Sequence, residues 1–249
     1  MKNLKFPLFA LLALSIFATS CKKKHNHDEN GTVKMSFTHT WGMNNAPFAL
    51  NTQLIHPMNG DTMNFSTFKY YVSNIQLKKN DGSWWTMPES YFLVDVSSAA
   101  SLTLEIPEVP EGTYIAFKYT MGVDSTRNVS GAQAGALSTT NGMFWSWNTG
   151  YIMVKAEGTS PQSSTGNFAF HLGGFSGANS IVTTTEVPFT DNLVVSHETT
   201  KTIKMRSNPA RLFHGGESVS NGGTVMMPGT RAKTLATNFY GGVTFLGIE

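Results

Sequence analysis

The chain has 249 residues, 18 basic against 16 acidic, with 40% hydrophobic and 12% aromatic residues. Such a near-neutral balance gives no electrostatic reason to expect nucleic acid as a partner. A single cysteine, Cys21, excludes an intrachain disulfide and a zinc ribbon, and lipidation of that cysteine would leave no thiol for a blue-copper centre or a cysteine nucleophile.

Residues 1–21 combine the basic start Lys2 and Lys5, an apolar run from Phe6 to Phe17, and the small residues Ala18-Thr19-Ser20 before Cys21. A run of that length reads as a secretory signal and is too short to span a bilayer. The small residues before the cysteine resemble a bacterial lipoprotein box, so Cys21 is the expected lipidated first residue of a mature chain held in the cell envelope at the outer membrane. Residues 22–31 follow as a polar tether carrying His25 and His27, with no large apolar side chain to bury.

From Thr32 the apolar residues repeat every second position. Val33, Met35, Phe37 and His39 alternate with Lys34, Ser36 and Thr38, the pattern of a strand with one buried face. Phe68 to Leu77 reads as a second strand, turned by Asn80-Asp81-Gly82 towards Trp84 and Trp85. Tyr91 to Val96 and Leu102 to Ile106 come next, and the segment Pro107 to Gly112 reads as punctuation. Thr113 to Met121 alternates again, and further strands are predicted at 151–157, 167–172, 180–187 and 199–206. Ser125 to Gly142 is predicted as a long ordered loop, and Thr230 to Phe239 as a short helix. Short strands separated by Gly, Pro, Asn and Ser, with few helical stretches, predict an all-β antiparallel sandwich formed by residues 32–249 as one domain.

The densest aromatic run is Met143-Phe144-Trp145-Ser146-Trp147-Asn148-Thr149-Gly150-Tyr151. If it is extended, Met143, Trp145 and Trp147 share one side, and two indoles stand side by side. In the strand Phe168 to Leu172, the apolar side is Phe168, Phe170 and Leu172, which places His171 on the other side with Ala169. His39 instead continues the apolar side of its own strand. Asp124 and Asn128, in Gly122-Val123-Asp124-Ser125-Thr126-Arg127-Asn128, offer oxygens for calcium or, as such residues commonly do, bonds that fix a turn. His56, His197 and His214 read as solvated loop residues. No phosphate loop, zinc-protease helix, dinucleotide fingerprint or complete nucleophile elbow is present.

Taken in order, Phe37-Thr38-His39, Phe68-Lys69-Tyr70-Tyr71-Val72-Ser73-Asn74-Ile75, Gly122-Val123-Asp124-Ser125, Gly131-Ala132-Gln133-Ala134-Gly135, the run Met143 to Tyr151, Glu157-Gly158 and His171-Leu172-Gly173-Gly174 resemble the MbnP-like copper-binding family, over roughly residues 32–245. The resemblance implies an envelope copper protein with no turnover of its own, associated with a dihaem cytochrome c peroxidase-like partner. It also implies that a tryptophan is oxidised to kynurenine and joins histidine in holding copper(I). Carried onto this chain, the ligand positions are His39, His171 and either Trp145 or Trp147, the latter favoured, with Met143 and Tyr151 beside them.

The chemistry is coherent, because an indole N–H only donates, whereas opening the ring frees an amine with a usable lone pair. Some related copper proteins carry a histidine very near the modified tryptophan; here Ser146 and Asn148 stand next to Trp147. A different class of reading is a surface module in which Trp84, Trp85, Trp145 and Trp147 form aromatic platforms for a glycan or a protein.

Overall fold

The computed structural model describes residues 30–249 apart from 130, 132 and 146–149. Cys21, His25, His27 and Trp147 therefore lie outside the described residues. The strands are β1 (Asn30–Trp41), β2 (Ala46–Pro47), β3 (Gln53–Ile55), β4 (Thr62–Lys79), β5 (Trp84–Thr86), β6 (Tyr91–Asp95), β7 (Thr103–Pro110), β8 (Gly112–Met121), β9 (Ile152–Thr159), β10 (Asn167–Gly173), β11 (Thr183–Val195), β12 (Lys201–Ser207), β13 (Thr224–Val225) and β14 (Val243–Ile248). Two helices, α1 (Ser125–Asn128) and α2 (Thr230–Tyr240), complete the elements used below.

Two sheets form the all-β sandwich expected from the alternation. One has the order β14-β12-β1-β2 with β7 on β1; the other is β11-β8-β4-β9-β10-β13, with β3, β5 and β6 also on β4. Most pairs are antiparallel, but β1 with β12 and β10 with β13 are parallel. The pure antiparallel expectation is corrected at those two places, where strands distant in sequence meet without a hairpin between them. A second correction concerns Pro107, which lies inside β7 instead of ending it. Since β7 pairs with β1 alone, the missing proline N–H falls on an edge strand, where it costs no ladder bond.

β4 organises the second sheet. Met63 and Phe65, then Phe68, Tyr70 and Val72, then Ile75 and Leu77 all face the space between the sheets. Register irregularities between Phe65 and Thr67, and between Ser73 and Gln76, re-phase the alternation. Asn74 sits in the second with φ of 52°, a conformation that asparagine tolerates better than most residues. Phe68 meets Phe239 at 5.2 Å, Phe65 meets Phe168 at 5.0 Å, and Phe37 meets Tyr70 at 5.8 Å, mostly edge to face.

α2 covers part of this core near β10. Ala232, Leu235, Ala236 and Phe239 are its buried residues, at the i, i+3, i+4, i+7 spacing of one helical face, and the predicted helix is confirmed. The predicted loop 125–142 contains α1 and two single 3-10 turns. Among the described residues, no helix is long and apolar enough to cross a membrane.

Candidate metal centre

Register fixes which side chains share a face. Phe68, Ala156 and Phe170 are cross-strand partners on β4, β9 and β10 and point into the core; Lys69, Lys155 and His171 are the adjacent partner set and point outwards. Between Leu172 and Gly173 the register slips, so that Leu172 opposes Val154 while Gly173 opposes Ile152. Ile152 thereby joins the outer face.

On that outer face a second apolar cluster is built from Tyr71, Val123, Leu137, Met143, Trp145, Tyr151 and Ile152. A short hairpin delivers the tryptophan: Ile152 N–H donates to Met143 O at 2.8 Å, Phe144 bridges Tyr151, and Trp145 N–H donates to Gly150 O at 3.4 Å. Met143 and Trp145 enter the same cluster, as an extended segment requires. The Trp145 ring lies directly on Gly173, where a Cβ would stand 2.3 Å from Cη2 and 2.7 Å from both Cζ3 and the Tyr151 carbonyl oxygen. Only glycine leaves room for the indole.

The loop above is pinned by phenols. Tyr151 Oη donates to Leu137 O at 2.6 Å, and Tyr71 Oη donates to Ala136 O at 2.9 Å. Tyr151 thus supports the hairpin that carries Trp145. With 4% of its surface exposed, Trp145 offers no open face to a sugar ring. Trp84 is half-buried, with the Lys118 and Lys78 ammonium groups 4.1 and 5.3 Å from its ring centre, and Trp85 is half-buried against the core. Of the four indoles of the surface-module reading, Trp145 is thus closed to a ligand, and Trp147 lies outside the described residues.

His171 stands two residues before Gly173 on the same outer face, roughly 7 Å along the strand. Its Nε2 is 2.6 Å from Glu157 Oε1, and Glu157 also pairs with Lys155 Nζ at 3.3 Å. Lys155 in turn donates to Gly142 O at 3.2 Å, tying this polar row to the loop before Met143. Burial acts to raise the Glu157 pKa, but the His171 hydrogen bond and the neighbouring charges overcome it and hold the carboxyl below its usual range. An ionised carboxylate on Nε2 takes that N–H and leaves Nδ1 with the lone pair, the arrangement that orients histidines towards metals.

His39 is elsewhere. Its ring lies among Phe68 and Tyr70, at 6.4 and 5.8 Å, and its Nε2 shares a hydrogen bond with Tyr70 Oη at 3.1 Å. Because Phe68 and Tyr70 face inwards, His39 and His171 lie on opposite faces of the nine-stranded sheet. Two bonds of roughly 2 Å to one ion cannot reach through that sheet, so the structure does not bring together the histidine pair taken from the family resemblance. The cleft that His39 touches is otherwise lined by Phe37, Phe48, Leu50, Val96, Leu102 and a few neutral polar residues, with no second imidazole, carboxylate or sulfur. Burial lowers the His39 pKa to about 4. Among the described residues, no three His, Cys, Asp or Glu side chains gather in a metal-holding group.

Asp124 and Asn128 take the turn role. Asp124 accepts from Thr126 N, Arg127 N, Asn74 Nδ2 and, at 2.6 Å, Tyr91 Oη, capping α1 and fastening it to β4 and the start of β6. Asn128 Oδ1 accepts from Tyr151 N at 2.8 Å, and its amide nitrogen donates to the Val123 and Asp124 carbonyls. Calcium would have to displace those donors. Asp124→Ala is expected to cost about 2 kcal/mol, the upper range for a lost cap, measurable by urea unfolding with and without added calcium; stabilisation of the parent chain by calcium would contradict the turn role.

The three histidines read as solvated divide. His56 is only 3% exposed, donating from Nε2 to Ala210 O (3.0 Å) and accepting the Asn59 N–H at Nδ1 (3.3 Å), because its turn packs beneath the 3-10 turn Pro209–Phe213. His197 bonds the surface carboxylate Glu111, and His214 lies half-buried beside Arg211. The single-strand pattern could not reveal the packing partner of His56. Glu157, not singled out from the sequence as a partner of His171, had a signal within reach: in an antiparallel hairpin between 151–157 and 167–172, it sits near His171.

The MbnP family profile matches residues 30–227. Among solved structures, the chain is similar to MbnP from Methylosinus trichosporium, with 15% sequence identity, 80% of this chain and 83% of that chain covered, and a TM-score of 0.53. At that identity the likeness speaks for the fold. No curated protein matches the chain.

Proposed function

The chain belongs to the MbnP family, and on that premise we propose that it is a copper-binding protein of the cell envelope, without turnover of its own, whose metal is held on the outer face of the nine-stranded sheet. The residues that would hold copper(I) are His171, through Nδ1, and the segment Met143 to Trp147, through a tryptophan opened to kynurenine. Trp145 is the indole whose placement supports this reading, and Trp147 is the other one in the segment. Copper(I) suits imidazole, amine and thioether donors, and Met143 is buried in the same cluster as Trp145.

The observation that carries the reading is the row formed by Glu157, His171, Gly173 and Trp145: a carboxylate-oriented imidazole stands two residues along β10 from the glycine on which a tryptophan is seated. The chain's own contribution is positional. Glu157 selects the His171 tautomer, Lys155 holds Glu157 and the loop at Gly142, and the Tyr71, Tyr151 and Leu137 packing keeps water from the inner edge of the indole. His39 has no part in it and serves the core. Lipidation at Cys21 anchors the chain to the outer membrane, and a dihaem cytochrome c peroxidase-like protein supplies the oxidation.

Peptide mass spectrometry of residues 142–155 from protein purified out of its native host, with metal analysis, tests this. The expected peptide has one tryptophan that has lost a carbon and gained an oxygen, in protein that holds copper. Two intact tryptophans in metal-free protein contradict the reading.

A further inference from the structure

We infer that the cleft between the turn after β1, the turn after β3 and the 3-10 turn Pro209–Phe213 is a second binding site, for a small carboxylate with an apolar body. None of the residues proposed to hold copper lines it, and it is independent of the copper reading.

The cleft holds about 420 Å³ and is lined by Met43, Pro57, Met58, Arg206, Arg211 and His214 among others, with no carboxylate. That size falls within the range of small-molecule sites. Six cations on the second sheet and its loops are paired with carboxylates: Lys69 with Asp95, Lys78 and Lys118 with Glu186, Arg127 with Glu89, Lys155 with Glu157, and Arg231 with Glu217. Arg206 and Arg211, both facing this one cleft, form no ion pair among the described residues. Arg211 Nε is in addition buried without a hydrogen-bond acceptor, so the guanidinium is not fully satisfied by the protein, a state that costs free energy.

The frame around these groups is already satisfied, so it does not compete for them. Asn208 Oδ1 accepts from the Gly42 and Ala210 amides at 3.2 Å each, and its Nδ2 donates to Gly42 O at 2.8 Å. His56 is occupied at both nitrogens, and the nearby Asp61 carboxylate accepts from Asn59, Ser218 and the Val219 amide. Arg211 Nη1 faces His214 Nδ1 at 3.5 Å. A guanidinium only donates, so Nδ1 is the acceptor there and Nε2–H becomes a third donor beside the two guanidiniums.

The apolar part of the ligand is set by the rim. Met43 and Met58 are 78% and 61% exposed, unusual for large apolar side chains, and unbranched thioethers adapt to varied shapes. The same two methionines with His56 and His214 are a soft donor set, but His56 has no lone pair to give and two guanidinium charges oppose a cation. Planar forks matched to carboxylate oxygens beneath two apolar jaws favour an amphiphilic anion.

Titration of the full chain with octanoate, 1-octanol, inorganic phosphate and copper(I), by calorimetry and by methionine-methyl NMR, tests the site. Octanoate is expected to saturate one site and shift the Met43 and Met58 methyls, with 1-octanol at least about tenfold weaker, the loss expected when a charged hydrogen bond goes unmade. Arg206→Gln, at a partly exposed position of β12, is expected to weaken octanoate by about tenfold or more and to leave 1-octanol unchanged; a matching melting temperature shows that the variant is folded. The proposal is overturned by equal affinity for octanoate and 1-octanol, by an Arg206→Gln variant that binds octanoate as the parent does, by phosphate binding in place of octanoate, or by copper(I) shifting these methyls where octanoate does not.

Discussion

Gly173→Ala is expected to destabilise the protein by about 3 kcal/mol, the upper part of the range for overpacking a filled core, and to abolish copper retention in protein from the native host. The added methyl would stand 2.3 Å from Trp145 Cη2 and 2.7 Å from the Tyr151 carbonyl oxygen. A ring alone could swing aside, but Trp145 packs in one cluster with Met143, Tyr151 and Ile152, and the carbonyl belongs to the backbone just before β9. Something must therefore move, and the indole's place beside His171 is lost with it. Gly229 is the control, since a Cβ there meets nothing within 4 Å and its backbone is extended. Gly229→Ala is expected to cost under about 1 kcal/mol, the scale of a helix-cap change. Urea unfolding of the two variants measures the difference; equal costs would show that the Trp145–Gly173 contact is not a constraint.

The second large effect concerns His39 and pH. Burial lowers its pKa to about 4 from the usual 6.5, so the folded chain keeps the ring neutral where the unfolded chain protonates it. Between those values the unfolded state binds more protons, and stability rises with pH. The stabilisation is present above the unfolded pKa and is lost as pH falls from about 6.5 towards about 4. At roughly 1.4 kcal/mol for each unit, and with the ring only partly buried, its size reaches at most about 3 kcal/mol. His39→Phe keeps an aromatic ring among Phe68 and Tyr70 and removes the titration, so its loss of stability between pH 7 and pH 4.5 is expected to be smaller than that of the parent by up to that amount. Parallel pH profiles for parent and variant would assign the acid sensitivity to other groups.

Much of this architecture is legible in the chain because two-fold alternation reports which side of a strand is buried. It placed Phe37 and His39 on the apolar side of β1, and His171 opposite Phe170 on β10, and both placements hold. Bulges are not legible in that way. The slips at Thr67 and Asn74, and between Leu172 and Gly173, re-phase the pattern through backbone geometry that no residue count reveals. Ile152 and Gly173 gain the outer face, with Trp145, only through the last of these. Ligand pairing was not legible either: each histidine was placed on the correct side of its own strand, but their common site was inherited from the resemblance, and sheet register separates them. Parallel pairing of β1 with β12 escaped for the same reason, since it depends on contacts between segments far apart in sequence.

The most direct test of a copper site on the outer face is an anaerobic copper(I) titration of three proteins expressed in the native host: the parent, His171→Ala and His39→Phe. The expected result is stoichiometric copper in the parent and in His39→Phe, with His171→Ala unable to hold it. Loss of copper in His39→Phe with retention in His171→Ala would contradict the account.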